Sequence, residues 1–439
     1  MGVRLMSATA LVLALLAVGQ AGAQPTMPPL PEDLDLSKPL TLVDCVRVGL
    51  AVNPALAIAN QQIRQAQAGV TQARAALMPN LGLNWDVAAS KSLAGGSSLG
   101  GQRTDRDLVL SLSQTFYRSG LSQEIGAARA MAQAAGWGRQ DTERTLVLGV
   151  AQNYYAALAA GGLADVARRA VLSARQHLDA ADARISAGTA APADRYPFLV
   201  ELHQAMVQAI TTENQVKTTL NGLKQAMGLP AEVSLQLAES LGRPPLPDNL
   251  DELRQSAYQA RPDVLRQKSQ VAAARLTAQV AQIERGPVLN ATGTGSYGQH
   301  TDVTGEAWQL QLGVSLPVFD GGLTRANLEK SRASLDIAEQ TLQQLELLIS
   351  LEVEDSYLGA VEANARIEAV DAVVEAAQVS LEAAQEKYKA GVGTVLEVTD
   401  AEQSLRQAEA DQVKARYDYN TSLAGLRSAV GQAIVPGAE

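Results

Sequence analysis

The chain has 439 residues, 36 Lys and Arg against 46 Asp and Glu, a formal net charge of −10 and a mean hydropathy of −0.03. This acidic balance argues against nucleic acid, which is held through basic patches. The single cysteine, Cys45, rules out an internal disulfide framework, and His177, His203 and His300 are too scattered for metal-ligand spacing; no metal or cofactor is expected.

In chain order, Arg4, the apolar run from Ala8 to Val18 and the small residues Ala21-Gly22-Ala23 predict a signal peptide over 1–23, cleaved before Gln24. Loss of Arg4 would leave the exported chain at about −11. Cys45 is too distant from that site to be a lipid-anchored first residue, and is expected to be a small buried apolar group. Polar residues interrupt every later apolar stretch, so no transmembrane helix is expected beyond the leader. An exported chain that still enters a membrane must then do so as a closed β-barrel, because lipid satisfies no open backbone group.

Residues 24–39 are rich in proline and acids and read as an extended leader. An internal duplication follows. Pro54 recurs as Pro262 and Pro79 as Pro287, both at an offset of 208 (262 − 54; 287 − 79). Tyr154 recurs as Tyr357, Gly188 as Gly391 and Gly228 as Gly431, all at 203 (357 − 154; 391 − 188; 431 − 228). Five matches in one order define two units, 40–230 and 247–432, with a linker over 231–246 and a tail over 433–439.

Inside each unit the hydrophobic period switches. Leu81, Leu83, Trp85 and Val87 alternate with Asn80, Gly82, Asn84 and Asp86, and Leu108, Leu110 and Leu112 alternate with Ser111 and Ser113. Trp308 to Val318 repeats the pattern against Gln309, Gln311, Gly313 and Ser315, with a glycine-rich partner over Leu289–Tyr297. Four strands in two hairpins are predicted, about 80–118 and 288–319, with loops at Gly95–Ser98 and Asp302–Gly305. The rest reads as helix. Leu335, Ala338, Leu342, Leu345 and Ile349 have coiled-coil spacing, and Leu121 to about Ala187 would extend on the order of 100 Å. A helix of that length must pack sideways on similar helices.

Four amphipathic strands cannot close alone, since about eight is the practical minimum. Three copies would supply twelve. Leucines would then face lipid, while Asn84, Asp86, Ser111, Gln309 and Gln311 would face a wet lumen. Trp85, Trp308, Tyr117 and Phe319 near strand ends read either as an aromatic belt or as ordinary packing.

The order of segments now carries a resemblance. "LVDCVRVGLAVNPAL", "SQTFYRSGL", "VAQNYYAAL", "AGTAAPAD" and "LNGLKQAMGLP" are followed by "RPDV", "SLPVFDGGL", "VEDSYLGAV", "YKAGVGTVLEVTD" and "LAGLRSAVG". From about residue 40 to 432 the chain resembles the TolC-like outer-membrane efflux family. The resemblance implies a mostly α fold with a membrane β-barrel: a homotrimer whose twelve-stranded barrel, four strands per protomer, continues into a periplasmic coiled-coil tunnel. It implies a Gram-negative outer-membrane location and a role as the passive exit duct of a tripartite efflux or type I secretion system. The implied partners are outer-membrane lipid, a periplasmic adaptor (membrane fusion) protein and an inner-membrane RND or ABC transporter.

By the same resemblance, Gly188, Thr189, Ala190, Gly391, Val392 and Gly393 form adaptor-docking tips. Glu397 and Asp400, three apart on one helix face, project acidic rings into the entrance constriction; on the residues alone a solvated helix face suits them better, and the resemblance is what favours the rings. Asp194 and Tyr388 match a hydrogen-bonded entrance latch, while Gly393 stands where some members carry a basic latch residue.

A periplasmic coiled-coil adaptor or spacer without a pore is the alternative, although it leaves the apolar-faced strands unexplained. No nucleophile–base set, metal spacing or phosphate loop points to an enzyme.

Overall fold

The computed structural model describes residues 38–91, 102–238, 242–247, 249–300 and 303–434. The expected signal peptide, the leader up to residue 37, and the Gly95–Ser98 loop lie outside the described residues. Each unit opens with a helix pair. In the first, α1 (Leu42–Val52) starts on a capping box in which the Asp44 amide donates to Thr41 Oγ1 at 3.3 Å and the Thr41 amide to Asp44 Oδ2 at 2.9 Å. The chain then turns extended at Asn53 (ψ 124°), as the residue before a proline prefers, and Pro54 opens α2 (Pro54–Ala75).

After hairpin β1 (Asn80–Lys91) and β2 (Gln102–Arg118) come the 66-residue α3 (Leu121–Ser186) and the antiparallel α4 (Arg195–Met227). The second unit repeats this order. α5 (Leu250–Ala260) ends at Arg261 (ψ 126°), Pro262 opens α6 (Pro262–Ile283), and β3 (Val288–His300) and β4 (Val303–Ser315) precede the 67-residue α7 (Leu323–Lys389) and α8 (Val395–Val430). Matched lengths, 11 and 11, 22 and 22, 66 and 67, are the duplication expressed in three dimensions.

The two hairpins join through β2 and β3 into one antiparallel sheet of order β1-β2-β3-β4, with a bulge at Phe116. The glycine-rich β3 is thus an inner strand, paired on both sides. Two sequence expectations change here. The second hairpin turn is tighter than Asp302–Gly305, because Val303 to Gly305 already pair in β4, and Asp302 lies outside the described residues. The alternation running to Val318 stops at Ser315, ahead of Pro317, which lacks the amide a ladder needs.

A further difference concerns α3. One 18-residue window there reaches a mean hydropathy of 1.2, against the expectation that no later stretch approaches membrane-spanning character. A third of that window (33%) is buried, and buried alanines run along the helix inside and beyond it. Ala151, Ala157, Ala164, Ala174 and Ala181 are 4% exposed or less and form the floor on which α4 and α8 lie. The glycine at 162 has the same role, since a methyl group there would sit 3.0 Å from Val413 of α8.

The main core lies between the sheet and the tips, where α1, α3 and α4 enclose Cys45, Val46, Val48, Val150, Leu223 and Met227. Cys45 is fully buried, and desolvation pushes its thiol up to about 12. The linker residues pack here too: Leu40 and Leu237 form a parallel bridge, and the Tyr154 hydroxyl donates to the Ala238 carbonyl at 2.8 Å.

Candidate functional site: a bare amphipathic sheet and paired helix tips

The strand register sorts the sheet into two faces. On one, Leu81 pairs with Leu112, Leu83 with Leu110 and Trp85 with Leu108. The first two rows continue through Gly293 to Leu310 and Gly295 to Trp308, the third through Tyr297 to Glu306 at the band's edge, and a further row joins Gln114, Ala291 and Leu312. This face has no cover: Trp85 is 71% exposed, Trp308 86% and Leu310 74%. On the other face, Gly82, Ser111, Thr294 and Gln309 form one cross-strand row, and Asn80, Ser113, Thr292 and Gln311 the next. Asn84 and Asp86 lie on this polar face, in rows with Ser296 and Gly298.

Two of the four aromatics, Trp85 and Trp308, are placed differently from the sequence expectation. Trp85 and Trp308 stand in mid-strand, because paired polar residues extend both strands beyond the alternating runs. Tyr117 lies at the far end of β2 on the apolar face, and Phe319 follows β4, 89% exposed.

At the junction of sheet and helices, Asp320 caps α7. Its carboxylate accepts from the Thr324 hydroxyl, the Thr324 amide at 2.9 Å and the Gly322 amide at 3.0 Å, and it faces Arg285 at 3.2 Å. The Thr324 bonds, with the Gly322 amide and Arg285, hold this carboxyl far below the ordinary carboxylate range.

The long helices α3 and α7 carry the chain from the sheet to two reversals. Gly188 (φ +74°) and Gly391 (φ +78°) both take left-handed backbone. Around them the same bonds recur: the Thr189 amide donates to the Arg184 carbonyl at 3.0 Å, and the Val392 amide to the Lys387 carbonyl at 3.1 Å. Thr189 and Val392 are exposed, and Ala190 is half-buried. At Gly393, a Cβ would lie 2.9 Å from the Tyr388 amide nitrogen, so a basic residue does not fit this turn without moving backbone.

Glu397 and Asp400 are exposed on one face of the first turns of α8, while Val398 and Ala401, each the next residue along, pack inward. No ion pair holds either carboxylate among the described residues. Among the described residues of the single chain, no hydrogen bond joins Asp194 to Tyr388. Asp194 Oδ2 instead accepts from the Ala191 amide at 3.3 Å, closing its own turn, and the Tyr388 side chain meets Arg184 and Phe198.

Sequence reading missed a polar strut higher in the bundle. Glu402 of α8 accepts from Ser173 Oγ at 2.7 Å and lies 3.5 Å from His177 Nε2, both on α3. Arg406 reaches Glu201 of α4 at 2.8 Å and Glu402 at 3.5 Å. Both carboxylates are buried, so this cation is what makes their burial tolerable. Among the described residues no group of three or more His, Cys, Asp or Glu side chains could hold a metal ion.

Comparison with known proteins bears on the whole arrangement. The family model described as outer membrane efflux protein matches residues 47–229 and 253–432, one match for each structural copy. The alkaline protease secretion protein AprF of Pseudomonas aeruginosa is 26% identical over 291 residues, 63% of this chain and 59% of that protein. Outer membrane protein TolC of Salmonella enteritidis is 24% identical over 270 residues, 58% of this chain and 55% of TolC. The matched stretches thus span under two thirds of these relatives. Among solved structures, CusC superposes with a TM-score of 0.78 at 19% identity, covering 93% of this chain and 97% of CusC. At that identity the likeness is one of fold.

Proposed function

Because the chain belongs to the outer membrane efflux protein family, we propose that it is one protomer of a trimeric exit duct in the outer membrane. Substrates would be handed to it by an inner-membrane RND or ABC transporter through a periplasmic adaptor, as in tripartite efflux or type I secretion. The chain would contribute a lined path and an entrance, with no catalysis of its own.

The observation that carries this reading is the sheet: one face carries a bare apolar band bounded on one side by Glu306 and Arg106, the other face is polar, and both edge strands, β1 and β4, are open among the described residues. Water does not suit the first face, and lipid does not tolerate the open edges. Joining β4 of one copy to β1 of the next removes both difficulties, and three copies close twelve strands. The polar face then lines a lumen, with Asn84, Asp86, Gln309 and Gln311 toward water.

Dimensions agree. From the Trp85–Leu108–Tyr297 row to the Tyr117–Leu289 row is eight residues of β3 (297 − 289), the bulge at Phe116 adding a ninth on β2, or about 21 Å of membrane height at 3.4 Å per residue and a tilt near 40°. An outer-membrane barrel presents an apolar band about 25 Å tall between aromatic girdles.

At the other end, the tips at Gly188–Ala190 and Gly391–Gly393 supply an adaptor-docking surface. Glu397 and Asp400, repeated threefold, would ring the entrance with carboxylates that favour cations.

The test is purification in detergent, mild crosslinking and reconstitution into planar bilayers. Crosslinked trimers with discrete conductance steps are expected. A water-soluble monomer that leaves the bilayer silent overturns the reading.

A further inference from the structure

Arg184 leaves the last turn of α3 and reaches the C-terminal end of α7. Its guanidinium carbon lies 4.5 Å from the centre of the Tyr388 ring, and Nη1 donates to the Tyr388 main-chain carbonyl at 3.1 Å. One cation thus makes a ring contact and a charge-assisted hydrogen bond to the same residue, at the negative end of a 67-residue helix.

Tyr388 belongs to both hairpins. Its ring meets Phe198 of α4 edge-on at 6.2 Å and packs with the first-hairpin cluster that includes Ala181 and Leu202. It also packs with Leu381, Ala384, Val398 and Ala401 of its own hairpin. The hydroxyl makes no hydrogen bond among the described residues, so the ring and the carbonyl carry the contact. The next polar contact between the hairpins is His177–Glu402, seven residues up α3 (184 − 177), or about 10 Å. Below that level, among the described residues, Arg184 is the polar tie.

We propose that Arg184, held against the ring face and carbonyl of Tyr388, is the clasp that keeps the two tips of each protomer together in the closed entrance. The proposal rests on the duct reading and concerns how its entrance is held. Separation of the second tip from the first would lift the guanidinium off the ring and strand the carbonyl bond. A latch made by the tyrosine hydroxyl predicts a different pattern of variants, because phenylalanine keeps the ring and loses only the oxygen.

The experiment compares single-channel recordings of the full-length protein and four variants, Arg184→Ala, Arg184→Lys, Tyr388→Leu and Tyr388→Phe, each checked for trimer by crosslinking. Arg184→Ala and Tyr388→Leu are expected to raise the open-to-closed ratio about tenfold. Arg184→Lys should fall between, since an ammonium keeps the charge and loses the planar stacking. Tyr388→Phe should move the ratio less than about threefold.

Equal opening by Tyr388→Phe and Tyr388→Leu would assign the latch to the hydroxyl and overturn the clasp. So would an unchanged ratio in Arg184→Ala. If Arg184→Ala fails to assemble, Tyr388→Leu and Arg184→Lys decide by the same criteria. Silence of the unsubstituted protein would strike the duct reading itself, a separate outcome.

Discussion

Arg261 and Asp263 form a bidentate pair across a single proline, with Nε to Oδ1 at 3.1 Å and Nη2 to Oδ2 at 2.8 Å. Nη1 of the same guanidinium donates to the Ala429 carbonyl at 2.8 Å and pairs with Glu352. The first copy makes the corresponding tie with a neutral group: Asn53 Nδ2 donates to the Ala226 carbonyl at 2.8 Å. Ala226 and Ala429 stand 203 apart (429 − 226), the repeat offset found at Gly228 and Gly431. Both units therefore fasten the start of their second helix to the end of their last one.

The pair in the second unit is buried, with side-chain exposures of 4% for Arg261 and 11% for Asp263. Burial alone would raise the Asp263 carboxyl, but the Arg261 hydrogen bonds and charge outweigh it and leave the group below its usual value. Its folded pKa is thus under the unfolded one of about 3.9, so its stabilisation is complete above that range and is lost as pH falls through the folded value. Asp263→Asn is expected to cost about 3 kcal/mol at neutral pH and to flatten the acid limb of the melting-temperature profile. Thermal melts in detergent between pH 3 and pH 7 check this; a parallel profile for the variant would refute it.

The same fastening predicts the behaviour of two glycines. Gly228 (φ +81°) and Gly431 (φ +76°) end α4 and α8 in left-handed backbone, and each lies against the extended residue before a helix-opening proline. A Cβ on Gly228 would meet Asn53 Cα at 2.9 Å, and one on Gly431 the Arg261 amide nitrogen at 3.1 Å. Backbone strain and close approach act together. Gly228→Ala and Gly431→Ala should each destabilise by about 2 kcal/mol or more, where Gly136→Ala, with open space around it, should be neutral to stabilising. Denaturant melts in detergent discriminate these outcomes.

These ties also mark the boundary of what could be read from sequence. Asn53-Pro54 and Arg261-Pro262 were legible as helix breaks because proline acts on its immediate neighbour. The strands were legible because a one-sided surface writes itself as period two, and the tips because left-handed turns favour glycine. The junction of β2 with β3 was not, since pairing between distant segments leaves no local trace. Arg184, Ser173 and Glu402 were invisible for the same reason. Their partners lie more than 200 residues away (388 − 184 = 204; 402 − 173 = 229), and on a long helix such residues resemble any solvated polar position. The Asp194–Tyr388 pairing implied by the family is not formed among the described residues, where Asp194 Oδ2 accepts from the Ala191 amide of its own turn.

The sheet faces predict an asymmetry between neighbours in sequence. Leu310 and Gln309 are adjacent in β4 and point to opposite faces. Leu310→Arg would place a guanidinium in the apolar band and cost about 2–4 kcal/mol, with poor membrane assembly, whereas Gln309→Arg would enter the lumen and alter ion preference instead. Heat-modifiability on gels reports assembly of the first, and reversal potentials in a salt gradient report the second. Equal tolerance at both positions would count against a lipid-facing row.

Glu397 and Asp400 are expected to set the charge selectivity of the entrance. Both are exposed on one face of α8, neither is neutralised by an ion pair among the described residues, and Val398 and Ala401 fix the rotation of the helix by packing inward. In the proposed trimer, threefold repetition would multiply two carboxylates to six around one aperture, where like charges at short range would favour cations far more than any one of them alone. Glu397→Gln combined with Asp400→Asn removes the charge and keeps the shape. The double variant should therefore conserve melting temperature and trimer yield while cation preference falls in planar bilayers. Because exposed charges are screened over about 8–10 Å at 0.1–0.15 M ionic strength, the difference should be largest at low salt and shrink as salt rises. An unaltered reversal potential at low salt would place these carboxylates outside the conducting path.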